Sequence, residues 1–93
     1  MQEVCVISYQ LNNCDSGQKT AIQRALNGHL DYSNNSVYKY KRKGLLEEIP
    51  HKILGKGAIM ALPKDSKRIV SILKNNNAWC VALILESRKK IFP

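Results

Sequence analysis

Ser36-Val37-Tyr38-Lys39-Tyr40-Lys41-Arg42 is the stretch on which the reading of this chain turns. Val37, Lys39 and Lys41 alternate with Tyr38, Tyr40 and Arg42, and a period of two is the signature of a strand, whose successive side chains point to opposite faces. Upstream, Val4-Cys5-Val6-Ile7-Ser8-Tyr9 is apolar and β-branched and reads as a first strand. Asn12-Asn13-Cys14-Asp15-Ser16-Gly17 is turn chemistry, with Asp15 or Ser16 placed to cap a helix. Ala21, Ile22, Ala25 and Leu26 recur at helical spacing and Gly28 stops them, which predicts a helix over 16–27. Residues 31–35 read as a loop into the Tyr-Lys strand.

Downstream, Leu45, Leu46, Ile49, Ile53 and Leu54 have partial helical spacing broken by Pro50, so 43–57 reads as a long hairpin-like connection. Residues 58–62, between Gly57 and Pro63, read as a short buried strand. Pro63-Lys64-Asp65-Ser66 opens a second helix, capped by Asp65 or Ser66, with Ile69, Val70, Ile72 and Leu73 as its apolar stripe. Asn75-Asn76-Asn77 ends it, 79–85 is the last main strand, and Ile91-Phe92 is expected to add an edge segment. The order is then β-α-β-β-α-β, the split arrangement of ferredoxin-like domains. The expectation is an α+β fold, one domain over 1–93, with a four-stranded antiparallel sheet and two helices on one face. Its expected core is Val6, Ile22, Leu26, Ile59, Ile69, Ile72, Leu73 and Leu83.

Ninety-three residues, 44% of them hydrophobic, suffice for one core. Fifteen Lys and Arg against seven Asp and Glu give a net charge of +8, which speaks to partners rather than to fold. Nucleic acid is the expected partner, and an acidic protein is the alternative. No apolar run approaches the ~20 residues of a membrane span, so no membrane partner is expected. Met1-Gln2-Glu3 has no basic leader character, and a cytoplasmic location is expected.

Cys5 and Cys80 sit in apolar runs as small hydrophobes, whereas Cys14 lies in a polar loop beside Asp15 and is the one candidate for a reactive thiol. The three cysteines form no CxxC pair and, with only His29 and His51 besides, no zinc spacing. No phosphate-binding glycine loop or nucleophile motif occurs, so neither a metal nor a cofactor is expected.

Tyr38, Lys39, Tyr40, Lys41, Arg42 and Lys43 interleave cations with aromatic rings, the pairing that offers phosphate contacts together with stacking for an unpaired base. The plain structural alternative is an edge strand guarded by lysines, with its tyrosines packed on a helix. Arg88, Lys89 and Lys90 form a second basic cluster after the last strand. Lys64, Lys67 and Arg68 form a third, near a helix N-terminus whose dipole they oppose. For chemistry, Asp15 and Asp65 fit capping roles, Asp31 lies in a loop, and His29 and His51 are the residue types for metal-free acid–base cleavage of RNA. No catalytic residue is assigned.

The element order, the chain length and the run from Ile49-Pro50 through Leu62 resemble the small ferredoxin-like nucleases related to CRISPR-associated protein 2, including the GhoS-type antitoxin endoribonucleases. That resemblance implies a ferredoxin-like fold and, within the family, RNA cleavage. The CRISPR-associated members commonly carry an aspartate at the end of the first strand, and this chain has Ser8-Tyr9-Gln10 there. An RNA-recognition-motif reading is weaker, because 58–62 lacks aromatic residues for stacking. The leading expectation is a nucleic-acid-binding domain, RNA ahead of DNA. A protein-interaction module of antitoxin or inhibitor type is the alternative, and an endoribonuclease comes third. A homodimer joined through Ile91-Phe92 is also expected. A broad apolar patch over 45–54 would favour the interaction module, and convergence of Asp15, His29 or His51 would favour the nuclease.

Overall fold

The computed structural model describes residues 1–33 and 38–93, with side chains at all of these except 32, 33 and 38. The order is β1 (Gln2–Gln10), α1 (Ser16–Asn27), β2 (His29–Ser33), β3 (Tyr38–Arg42), α2 (Leu45–Glu48), β4 (His51–Gly55), β5 (Ala58–Ala61), α3 (Pro63–Asn75) and β6 (Trp79–Ser87). The fold is α+β. A four-stranded antiparallel sheet runs β4-β5-β1-β6, while β2 and β3 pair with each other in a separate two-stranded sheet. Among the described residues no helix is long and apolar enough to cross a membrane.

One face of the sheet is buried. Cys5 and Ile7 of β1, with Ile59 and Ala61 of β5, lie under Ile22 and Leu26 of α1, Ile69 and Leu73 of α3, and Leu45, Leu46 and Ile49 around α2. α1 begins where the sequence predicts. The Asp15 carboxylate accepts from the Gln18 N–H at 2.7 Å, and the Gln18 side-chain oxygen accepts from the Asp15 N–H at 2.9 Å, so two N-terminal donors are satisfied together. α3 starts earlier than expected, with Leu62 as its N-cap residue and Pro63 in the first turn, where a missing N–H is harmless. Neither Asp65 nor Ser66 caps it; the Ser66 hydroxyl instead donates to the Pro63 carbonyl at 2.7 Å. Cys14, in the loop before α1, is buried, and its thiol donates to the Asn76 carbonyl at 3.2 Å.

Three expectations about the strands are corrected. The Tyr-Lys stretch does not join the main sheet: Tyr38–Arg42 pairs with His29–Ser33, which was expected to be partly loop, and Ser36 and Val37 lie outside the described residues. The place beside β5 is taken by His51–Gly55, inside the supposed long connection. A two-residue turn at Lys56-Gly57 joins β4 to β5, so that pairing closes locally, whereas β3 brings no apolar face to the sheet. Gly57 has φ of +78° and donates no side chain where Tyr9 packs; its carbonyl accepts from the Tyr9 N–H at 2.8 Å. Among the described residues there are three helices, because Leu45–Glu48 adds one turn.

The phase of β1 and β6 also differs from expectation. Val6 is only half-buried and Leu83, its cross-strand partner, is 57% exposed, because both lie on the face turned away from the helices. Ile72 is half-buried at the margin of the core. Ile91-Phe92 forms no strand. The Gln2 amide oxygen accepts from the Ile91 and Phe92 N–H groups at 2.8 and 2.9 Å, and its nitrogen donates to the Phe92 carbonyl at 2.9 Å. Phe92 and Val4 are buried yet stand outside the main core cluster, so the tail covers one end of the otherwise open face.

The β2–β3 hairpin leaves the body through a narrow neck. A Cβ on Gly44 would run into the Gly28 nitrogen, the Leu26 oxygen and the Asn27 carbonyl carbon, and a Cβ on Gly28 would run into the Arg42 oxygen and the Gly44 nitrogen. Gly28 also has φ of +78°, which side chains resist. The chain therefore crosses itself backbone to backbone between the buried anchors Leu26 and Leu45. The radius of gyration is 14.9 Å, against about 12 Å for a compact chain of this length, in keeping with a hairpin outside the main sheet.

Two stability measurements follow. Leu73→Ala, at a fully buried position, is expected to cost about 2–5 kcal/mol in denaturant melts; a value near zero would remove Leu73 from the core. Gly44→Ala is expected to cost about 1–3 kcal/mol by overpacking the neck, while Gly55→Ala, with nothing within 4 Å of the added carbon, stays within about 0.5 kcal/mol. Equal melts for the two variants would refute the neck.

Candidate nucleic-acid interface

The hairpin places cations and an aromatic ring on a surface that no helix covers. Its register sets His29 opposite Arg42 and Asp31 opposite Tyr40, so these four share one face, while Leu30, Lys39 and Lys41 share the other. Tyr40 is 51% exposed, which removes the alternative that its ring packs on a helix in the core. The Tyr38 side chain lies outside the described part of the structure. The Arg42 Nε donates to Asp31 Oδ2 at 3.1 Å, and His29 Nε2 stands 3.9 Å from the other carboxylate oxygen. Lys41 Nζ is 4.0 Å from Glu47. The Arg42–Asp31 pair links the two strands and the Lys41–Glu47 pair links the hairpin to α2, each an exposed contact of small individual weight in a ribbon with no core of its own.

Chain order brings three basic segments to one end of the sheet. β5 and β6 both run antiparallel to β1, so α3 begins, and Arg88, Lys89 and Lys90 leave, at the end where β1 starts. β4 also starts there, opposite Ala61, so α1 has to carry the chain back to that end, where the hairpin stands. At the hairpin's root, an open groove of about 490 Å³ between α1, α2 and α3 is lined by Lys43, Lys67, Arg68 and Ser71, with Ala25 and Ile72 beneath. Glu48 also lines it and is 3.6 Å from Arg68. Among the described residues Lys43 and Lys67 show no ion pair, so these two are the cations available to an incoming anion.

The sequence singles out Lys43 with the Tyr-Lys strand and Lys67 and Arg68 with a helix; their meeting in one groove is a tertiary fact with no local signal. Arg88, Lys89 and Lys90 are exposed and do not line this groove.

Of the residues that could serve metal-free cleavage, Asp15 and His51 stand at opposite ends of the sheet. Asp15 caps α1 at the end of the sheet where β1 finishes, while His51 starts β4 at the opposite end and its Nδ1 lies 3.1 Å from the Ile49 carbonyl. His29 is engaged on the hairpin with Asp31. Among the described residues no group of three His, Cys, Asp or Glu side chains could hold a metal ion. The apolar stretch over 45–54 does not form a surface patch, since Leu45, Leu46 and Ile49 are buried and only Ile53 and Leu54 are exposed.

No protein-family model matches the chain, and no curated protein and no solved structure is found to be similar to it.

Proposed function

We propose that this protein binds single-stranded nucleic acid, RNA in preference to DNA, with the phosphate backbone in the Lys43–Lys67–Arg68 groove and a base on the exposed ring of Tyr40. The observation that carries this reading is the convergence of Lys43 with Lys67 and Arg68 at the root of a ribbon bearing Lys39, Tyr40, Lys41 and Arg42. A groove lined by cations tracks a backbone, and an aromatic ring with one open face accepts any base. The α3 N-terminus, with no side-chain cap, adds the positive end of a helix dipole beside Lys64 and Lys67. Arg88, Lys89 and Lys90 extend the field from the same end and steer the approach of a polyanion.

We also read the fold as a ferredoxin-like unit carrying an insertion. With the β2–β3 hairpin and the α2 turn set aside, the remaining order is β1-α1-β4-β5-α3-β6, the split arrangement of that fold. In this reading the hairpin is the functional addition and the sheet is its support. A relationship to nucleases of the CRISPR-associated protein 2 group would rest on that architecture alone.

Binding of a fluorescent single-stranded oligoribonucleotide across a salt series tests the site. Replacing Lys43 and Lys67 by Ala together is expected to weaken binding and to flatten the slope of log K against log salt by about 1.4, some 0.7 per lost phosphate contact. Lys19 and Lys56, which line a separate groove beside Tyr9 and Gln10, serve as the control pair; their replacement leaves the slope unchanged. Identical slopes for both double variants would reject the groove.

Tyr40→Ala separates stacking from folding. It is expected to lose about 1–3 kcal/mol of single-strand affinity with an unchanged unfolding midpoint. Full affinity in that variant would leave Tyr40 without a role in binding.

A further inference from the structure

β6 is a nine-residue edge strand, Trp79–Ser87, and it is apolar on both faces. On the face away from the helices it exposes Trp79, Val81, Leu83 and Leu85; on the helix face it exposes Ile84, at 62%, and Ala82. A long apolar edge of this kind is a template for another strand, and proteins usually guard such edges with lysine, proline or a bulge. The opposite edge has those guards: β4 is five residues long, carries Lys52 and is interrupted by a bulge between Ile53 and Gly55. β6 has none. Its one charged residue is Glu86, and the next cation is Arg88, beyond the strand.

We propose that β6 pairs antiparallel with β6 of a second copy about a two-fold axis through Leu83, joining two four-stranded sheets into one of eight. The strand is complementary to itself in that register. Leu83 meets Leu83, Ala82 meets Ile84, Val81 meets Leu85, Cys80 meets Glu86 and Trp79 meets Ser87, so no like charges oppose each other and every pair keeps to its own face. The helices of both copies then lie on the same side. The groove of about 770 Å³ beside α3, with Cys5, Val70, Ala82 and Ile84 as its apolar lining and Lys64 and Lys67 among its other lining residues, runs along the seam.

Two further arguments select a second copy over a foreign strand. Within the main sheet the other edge, β4, is short, bulged and guarded, so self-pairing through β6 closes at two copies instead of growing into a filament. The exposed large residues of β6 present on the order of 500 Å² per chain, or ~1,000 Å² for two, an upper bound on the area that pairing buries, so the dimer sits at the small end of specific interfaces. The proposal is independent of nucleic-acid binding and is read without nucleic acid.

Sedimentation equilibrium of the chain, at moderate salt to screen its positive charge, is the first measurement. A mass of twice the chain at ~100 μM, far above a micromolar Kd, is expected. Ile84→Lys places two lysines diagonally across the seam on the helix face, where the open face is untouched, and is expected to raise the dimer Kd ~10-fold or more. Ile53→Lys on the guarded edge leaves the mass unchanged. Amide hydrogen exchange of the unmodified chain gives a readout that needs no variant: outward-facing amides within 79–87 become protected as concentration rises. A monomer at the highest concentration, a dimer that survives Ile84→Lys with folding intact, a species larger than two, or edge amides that exchange equally fast at all concentrations would each overturn the proposal.

Discussion

The backbone crossing of Gly28 and Gly44 is the contact on which the layout of this protein depends. Leu26 and Leu45, on either side of the crossing, are both buried in the main core, so the chain leaves that core and re-enters it at nearly one point. No side chain larger than hydrogen fits between the two passing backbones, and that is why the hairpin can be long, polar and exposed without disturbing the packing beneath it. The close approach also fixes where the hairpin points. Lys43, the residue before Gly44, is delivered to the rim of the groove that Lys67 and Arg68 line from α3.

One-sided burial explains most of what remains at the surface. The sheet sets Cys5, Ile7, Ile59 and Ala61 against the helices, and one end of its other face is covered where the tail is tied down by Gln2. Apolar residues on β6 are left in water, and cations collect at the end where β1 begins. The first feature suits a strand partner and the second a polyanion, and the two adjoin along α3, where Lys67 lines the groove of each. Three acids on the hairpin and α2 are paired: Asp31 with Arg42, Glu47 with Lys41 and Glu48 with Arg68. Those pairs neutralise charge within the protein while leaving Lys43 and Lys67 outward.

Elements with strong punctuation were legible in the sequence. α1 runs over Ser16–Asn27 as its Asp15 cap and Gly28 stop dictate, and the central strand β5 falls between Gly57 and Pro63. What could not be read was set by tertiary packing. In His29-Leu30-Asp31-Tyr32-Ser33 only Leu30 and Tyr32 alternate with polar residues, too short a pattern to stand out from the Asp- and Asn-rich stretch around it, so it reads as part of a loop. His51–Gly55 hides behind Pro50 and a single helical turn too short to show a period. Val4-Cys5-Val6-Ile7 and the whole of β6 are apolar at both parities, so the strands were evident but not which face the helices would cover; Val6 and Leu83 fell on the open one. The basic strand of the candidate site was visible as a local pattern. Its union with Lys67 and Arg68, some 24 residues further along, depends on α3 starting where β5 ends, which no local pattern encodes.

The central claim is that the hairpin and the groove at its root form one surface for a single nucleic-acid strand. Chemical-shift mapping of the labelled protein during titration with a short single-stranded oligoribonucleotide tests it most directly. The account predicts that the Tyr40 ring and the amides of residues 39–43 and 64–68 shift together along one saturating curve, while those of Lys19, Lys56 and β6 stay in place. Shifts confined to the β6 edge or to the Lys19 and Lys56 groove, or hairpin and α3 resonances that move along separate curves, would contradict it.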